Sequence, residues 1–418
     1  MRSSFLPITL PNEGVYDNMT KQSNKRTGIH LFLINAFVFI PAAQYTPFLS
    51  AYFAKAGISA LEIGILLTIG PIVSIIIQPI WAYISDRTGK RKLVLCFVVL
   101  GTALSILSYY IGRSFLSFFI AAMLLAFFVT SIIPLNDANT LHIAHKNGLD
   151  FSKIRMGGTI GYAITVIFAG EIVKSIPSIG FLMGSIGYAI LFLLIVRLPK
   201  EENTDPPPSE PKHTSVGHKE KKSLLHIFES KEIYFILAFA FINQVGLSFN
   251  YSFLGVYMLN MGMTESTMGL INCISALSEL PVLFLINHII KRISPMKISL
   301  IACFLLGLRI LAVTGGSLPF VIMSAVLHGI TFMTVYFSCA IFISKNVKPE
   351  NQSKGQSILT IIQAGLASIT GNIAGGFLVD QLGLKASYII MASSVIIIAG
   401  LIALLQYSYE KKHPVNVA

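Results

Sequence analysis

The chain has 418 residues, of which 54% are hydrophobic and only 12% charged, and its formal net charge is +12. At a mean hydropathy of +0.72 it has too little polar surface to cover a soluble globule, so lipid is its expected solvent. The positive charge would suit nucleic acid only as one face of a folded domain; here it is scattered between apolar runs, which excludes that partner.

A spanning helix needs about 20 apolar residues to cross a hydrocarbon core of roughly 30 Å. Helices are the expected form, because lipid-facing backbone must hydrogen-bond within its own segment. Residues 1–28 are polar and mixed in charge, without the apolar core of a signal peptide, and read as a cytoplasmic tail ahead of a first helix that directs insertion. Apolar runs and their breakers then predict helices over 29–54, 62–85, 93–111, 114–136, 155–174 and 177–197. Residues 198–230 carry Pro206, Pro207, Pro208 and Pro211 among Lys and Glu, the composition of a solvated cytoplasmic linker. A second set follows over 231–258, 265–290, 297–315, 317–343, 356–380 and 384–408, leaving 409–418 as a cytoplasmic tail. The expected fold class is therefore an all-α membrane protein, with twelve transmembrane helices in two six-helix bundles, 29–197 and 231–408.

Loop charge sets the orientation. Of 31 Lys and Arg residues, 25 fall on the side that holds both termini, four (Lys55, Arg113, Lys174 and Lys385) on the other, and Arg155 and Arg309 lie within helices. By the positive-inside rule both termini are expected in the cytoplasm, in a multi-pass protein of the cell membrane. Cys96, Cys273, Cys303 and Cys339 lie inside apolar runs without metal-type spacing, so they read as small core residues.

After the second helix comes Ser85-Asp86-Arg87-Thr88-Gly89-Lys90-Arg91-Lys92. An ordinary basic loop would satisfy the charge, but an Asp and a turn-forming Gly in register resemble the loop signature of the major facilitator superfamily. That resemblance implies two bundles that rock about a central site, with Asp86, Arg87, Gly89 and Arg91 in a cytoplasmic gating loop.

The first half offers several polar candidates. Arg155 opens the fifth helix, eighteen residues after Asp137 at the end of the fourth, and Gly157, Gly158 and Gly161 leave one side of that helix bare for another helix or a ligand. Pro134 is placed to break the fourth helix and turn Asp137 inward; otherwise both charges sit at the cytoplasmic interface. Asp137, Arg155 and Tyr162 resemble the acid, arginine and aromatic residue with which the lactose permease branch of the superfamily contacts its sugar. Arg supplies a fixed fork of donors and the ring an apolar face for sugar C–H groups. In the first helix Gln44 and Tyr45 read as cavity or packing residues, and Pro41 and Pro47 as kinks. Trp81 reads as an interface anchor.

The second half places Glu279, Arg309 and His328 in the middle of apolar helices. Charges at such depth cost several kcal/mol, of order 3 or more, unless paired or facing water, so a site is expected there. An acid, a fixed cation and an imidazole can take up and release a proton as their partners rearrange. The same segments resemble the branch that holds lactose permease, phenylpropionate permease and nucleoside–proton symporters. The resemblance also has a departure, because Thr331 stands where lactose permease has its proton-carrying acid. Glu279 is thus the remaining candidate carrier. In the seventh helix Asn243, Gln244, Asn250 and Tyr251 can meet hydroxyl groups or hold helices together, and the resemblance places Asn250 near the substrate.

These readings converge on a monomeric, proton-coupled symporter for a small organic solute such as a sugar or nucleoside. It is not an enzyme, and it needs no cofactor or metal beyond the proton as coupling ion. An aromatic-acid–proton symporter and a drug/proton efflux antiporter are the alternatives.

Overall fold

The computed structural model describes residues 13–198, 231–348 and 351–412. Most of the expected linker and the outermost parts of both tails lie outside the described residues. Among those described, eleven helical stretches are long and apolar enough to cross a membrane. The last of them, Gln352–Lys412, is two helices, because Gly383 interrupts it at φ 76°, ψ 167°. The total is twelve, as the sequence predicts.

In chain order, α1 is Glu13–Ala43 with a tight turn Thr46–Phe48 and a short helix Leu49–Lys55; α2 is Ala60–Thr88; α3 is Arg91–Ser105 with Ser108–Ile111. Next, α4 is Phe115–Val129 with Ile132–Lys146, α5 is Phe151–Ser175 and α6 is Ile179–Val196. The second half has α7 (Glu232–Asn260), α8 (Glu265–Arg292), α9 (Pro295–Val313) and α10 (Leu318–Val326 with His328–Asn346). Finally, α11 runs from Gln352 through a π-helical segment, Ile361–Ala367, to Gly383, and α12 from there to Lys412.

Several breaks have local causes. Proline lacks an N–H and its ring crowds the carbonyl four residues back. Pro47 accordingly ends α1 at Ala43, and Pro134 splits α4 after Val129. The carbonyl that Pro134 leaves free, that of Thr130, accepts from Gln78 Nε2 at 2.8 Å. In α10 the backbone N–H of Gly329 is diverted to Ser278 Oγ of α8 at 2.9 Å, which accounts for the break at Leu327.

Some boundaries differ from expectation. The segment read as a tail is helical from Glu13, and α12 continues to Lys412. The sequence ends α4 near 136 because polar residues interrupt the apolar run. The helix goes on to Lys146 because those side chains are buried against α1: Asn136 Nδ2 donates to Asn35 Oδ1 at 3.1 Å, and Asn35 Nδ2 to Thr140 Oγ1 at 3.3 Å. Trp81, read as an interface anchor, is instead 9% exposed; its Nε1 donates to Phe127 O at 3.0 Å and its ring packs on Phe97 and Phe127.

Large apolar side chains such as Ile76, Phe97 and Leu404 stand exposed along the helices, the surface expected of a protein solvated by lipid. The two halves pack across two seams, α2 against α11 and α5 against α8. Only a glycine fits at Gly376, where a Cβ would lie 2.5 Å from Ala60 O. Polar bonds join the halves at the end away from the chain termini. Lys55 pairs with Glu265, Ser266 Oγ donates to Glu171, and Asp380 accepts the N–H groups of Ala60 and Leu61 at 2.9 Å each.

Candidate functional site

The three ionisable residues of the second half form one chain. Arg309, only 2% exposed, directs Nε to Ser324 Oγ at 3.3 Å and Nη1 to Thr331 Oγ1 and His328 Nδ1, each at 3.0 Å. His328 Nε2 stands 3.1 Å from Glu279 Oε1 and 3.1 Å from the Tyr251 hydroxyl. A guanidinium only donates, so His328 Nδ1 must accept, which leaves the imidazole neutral with its proton on Nε2. That N–H points at Glu279, whose carboxylate is the acceptor. His328 stands between Glu279 and Arg309, stacked on Phe332 at 5.5 Å. Glu279 is the more exposed end, its side chain 24% accessible against 4% for His328.

In the first half Arg155 Nε lies 3.3 Å from Asp137 Oδ1, with both side chains about one-third exposed. The guanidinium also sits 4.5 Å over the Phe39 ring. The bare side of α5 is explained by α1 and not by a ligand: a Cβ on Gly158 would lie 2.6 Å from Phe39 and 2.8 Å from Arg155 Nη1. Tyr162, on the same helix, packs at the α5–α8 seam against the cluster that holds Met268, Ile271 and Cys273.

Not every expected residue reaches the space between the bundles. Tyr45 is 5% exposed and turns into the first bundle, its hydroxyl 3.4 Å from that of Tyr188 and its ring against Phe181. Gln44 is buried beside it, with Oε1 unpartnered. Asn250 is 1% exposed, off the cavity-lining face of α7, and neither amide atom has a partner. In the loop, Asp86 is 4.0 Å from Arg91 and Arg87 bonds Tyr83 at 3.1 Å, so these side chains are held within their own half. Gly89 ends α2 in the left-handed conformation at φ 63°, which favours glycine.

Between the bundles, α1, α2, α7 and α11 line an open cavity of about 310 Å³. Sequence reasoning missed most of its polar wall. Beside Gln244 and Tyr251, which the sequence singles out, the signal was present as small polar residues one helical turn apart in apolar runs: Ser248 and Ser252 on α7, Ser368 and Asn372 on α11.

Residues 29–390 match a family described as "MFS_1 like family". The chain belongs to that family. Its maltose permease relative from Geobacillus stearothermophilus is 25% identical over 382 residues, covering 88% of this chain and 91% of that one. The lactose permease of Citrobacter freundii is 21% identical over 368 residues, 83% of this chain and 86% of that one. Among solved structures, the nucleoside transporter NupG superposes with a TM-score of 0.76 at 18% identity, over 90% of this chain and 98% of that one. This member of the MFS_1 like family is thus a multi-pass membrane transporter of the major facilitator fold, and its relatives are permeases and transporters, not enzymes.

Proposed function

We propose that the chain is a proton-coupled symporter that takes up a small hydroxyl-rich solute, a sugar or a nucleoside, across the cell membrane by alternating access. The observation that carries this reading is the chain from Glu279 through His328 to Arg309, a buried polar chain whose accessible end is one carboxylate. With both termini in the cytoplasm, the orientation that loop charge favours, the end joined by Lys55–Glu265 and Asp380 is the outer one.

Glu279 is the proton carrier in this account. Ionised, it accepts from His328; protonated, it is neutral and crosses the closed, dry state at lower cost than a bare carboxylate. The fixed positive charge of Arg309 holds the imidazole in one tautomer and serves as a positioning group. Asp137, Arg155 and Tyr162 supply solute contacts from the first bundle, and the loop at Asp86, Arg87, Gly89 and Arg91 closes the inner side when the bundles rock.

Relatives named for maltose and lactose and a fold neighbour named for nucleosides support the solute class. Arg309 is committed to Ser324, His328 and Thr331, and the charge of Arg155 is already balanced by Asp137, which argues against capture of an aromatic acid. The same two cations argue against export of cationic drugs. In lightly buffered, energy-depleted cells expressing the protein, adding the transported sugar or nucleoside should raise the external pH as protons enter with it. Uptake without that alkalinisation would remove proton coupling.

A further inference from the structure

We infer that Ser278 and Gly329 are positioning residues for the proton carrier: the seat they form between α8 and α10 holds Glu279 against His328 however the two bundles rock. The inference rests on the proton-coupled reading proposed above. Ser278 precedes the acid on α8, and Gly329 follows the imidazole on α10.

The seat is made where each helix gives up part of its own bonding. On α8, Pro281 has no N–H, so the Leu277 carbonyl lacks its helical donor. One residue on, Ser278 Oγ donates to the Ser275 carbonyl at 2.7 Å, which leaves its lone pairs to accept the N–H of Gly329 at 2.9 Å. On α10, that N–H is withdrawn from the helix at the break at Leu327. Past the break, Thr331 Oγ1 lies 3.1 Å from both the Leu327 and the His328 carbonyls and accepts from Arg309 Nη1 at 3.0 Å. One break thus bonds α10 to α8 on one side and to α9 on the other, with His328 at the junction.

The approach is closest at the glycine. A Cβ on Gly329 would overlap the Ser278 carbonyl, 2.5 Å from its carbon, and would lie 2.8 Å from the backbone nitrogen of Glu279. These are backbone atoms, so no side-chain rotation makes room. The helices would have to part by roughly 1 Å, more than the ~0.5 Å within which a functional constellation keeps its geometry. Ser278, Glu279, Arg309, His328, Gly329 and Thr331 all belong to the second bundle, so rocking leaves the 3.1 Å contact between Glu279 and His328 in place. The carboxylate therefore takes its proton from water on one side and returns it to water on the other as its exposure changes, with the chain to Arg309 intact.

The test uses the full-length protein in proteoliposomes, with radiolabelled maltose, glucose and uridine as probes. Each variant is read twice: by accumulation under an imposed pH gradient, and by counterflow at equal pH, which needs solute binding and rocking but no net proton release. One hydrogen bond contributes up to about tenfold, so Ser278→Ala should lower accumulation about fivefold while counterflow stays within about twofold of the parent. Ser278→Thr, which keeps the hydroxyl, should accumulate as the parent does. Gly329→Ala should lower accumulation at least as far as Ser278→Ala, again with counterflow retained; Ser278→Ala introduces no clash and keeps the test sound where Gly329→Ala fails to fold. Normal accumulation in Ser278→Ala overturns the inference. An equal fall of accumulation and counterflow in that variant also overturns it, because the contact would then be structural alone. If the unaltered protein accumulates none of the three probes under a pH gradient, the proposed function itself fails and leaves no carrier to position.

Discussion

The first turn of α2 is completed by the opposite bundle. Ser59 Oγ takes the N–H of Glu62, while Asp380, at the end of α11, takes those of Ala60 and Leu61 at 2.9 Å each. In the orientation and alternating-access cycle proposed above, opening of the outer side turns these two amides to water, so Asp380 acts as a cap supplied from the other half that holds this seam closed. Losing an acidic helix cap costs about 0.5–2 kcal/mol, and the exposure of Asp380 places the effect in the lower half of that range. Asp380→Ala should therefore weaken the seam by about 1 kcal/mol, roughly a fivefold shift toward the outward-open state. Ser252→Cys, in the cavity behind the seam, reports on this by its labelling with a membrane-impermeant maleimide outside intact cells. The four native cysteines are all buried, which keeps the background low. The Asp380→Ala variant should label about fivefold faster than its parent. An unchanged or slower rate would refute the capping argument.

Two further predictions concern the site. Arg309→Lys should lower uptake at least about tenfold, because one ammonium on a flexible stem cannot hold Ser324, His328 and Thr331 together; normal uptake in that variant would show that charge alone suffices. Gly158→Ala should displace Phe39 or Arg155, since its Cβ would lie 2.6 Å from the ring and 2.8 Å from Nη1. The expected cost is about 1–3 kcal/mol, read as a lower melting temperature in detergent, and a melting temperature equal to that of the parent would mean that α1 shifts freely.

Fold class and helix count were legible because lipid imposes one rule, long apolar helices separated by charge. Boundaries were less so. The end of α4 escaped because Asn136 and Thr140 look like solvent-facing residues and instead bond Asn35 of α1, a partner about a hundred positions away. The charged centre was readable from depth alone: Glu279, Arg309 and His328 stand out in apolar helices, and the structure brings them within bonding distance. Their order was not readable, since only the fold puts His328 between acid and base. Tyr45 illustrates the opposite error. An aromatic residue beside a helix break suits a cavity and a core equally, and in the turn that follows α1 at Ala43 Tyr45 lies in the core, against Tyr188.

The account rests on Glu279 as the proton carrier, and one measurement addresses it directly: transport of a radiolabelled solute by Glu279→Gln in energised vesicles and, separately, by counterflow. Glutamine keeps the shape and an acceptor for His328 but cannot bind or release a proton. The variant should lose accumulation against a gradient while retaining exchange at equal solute concentrations. Accumulation driven by a pH gradient in that variant would contradict the assignment.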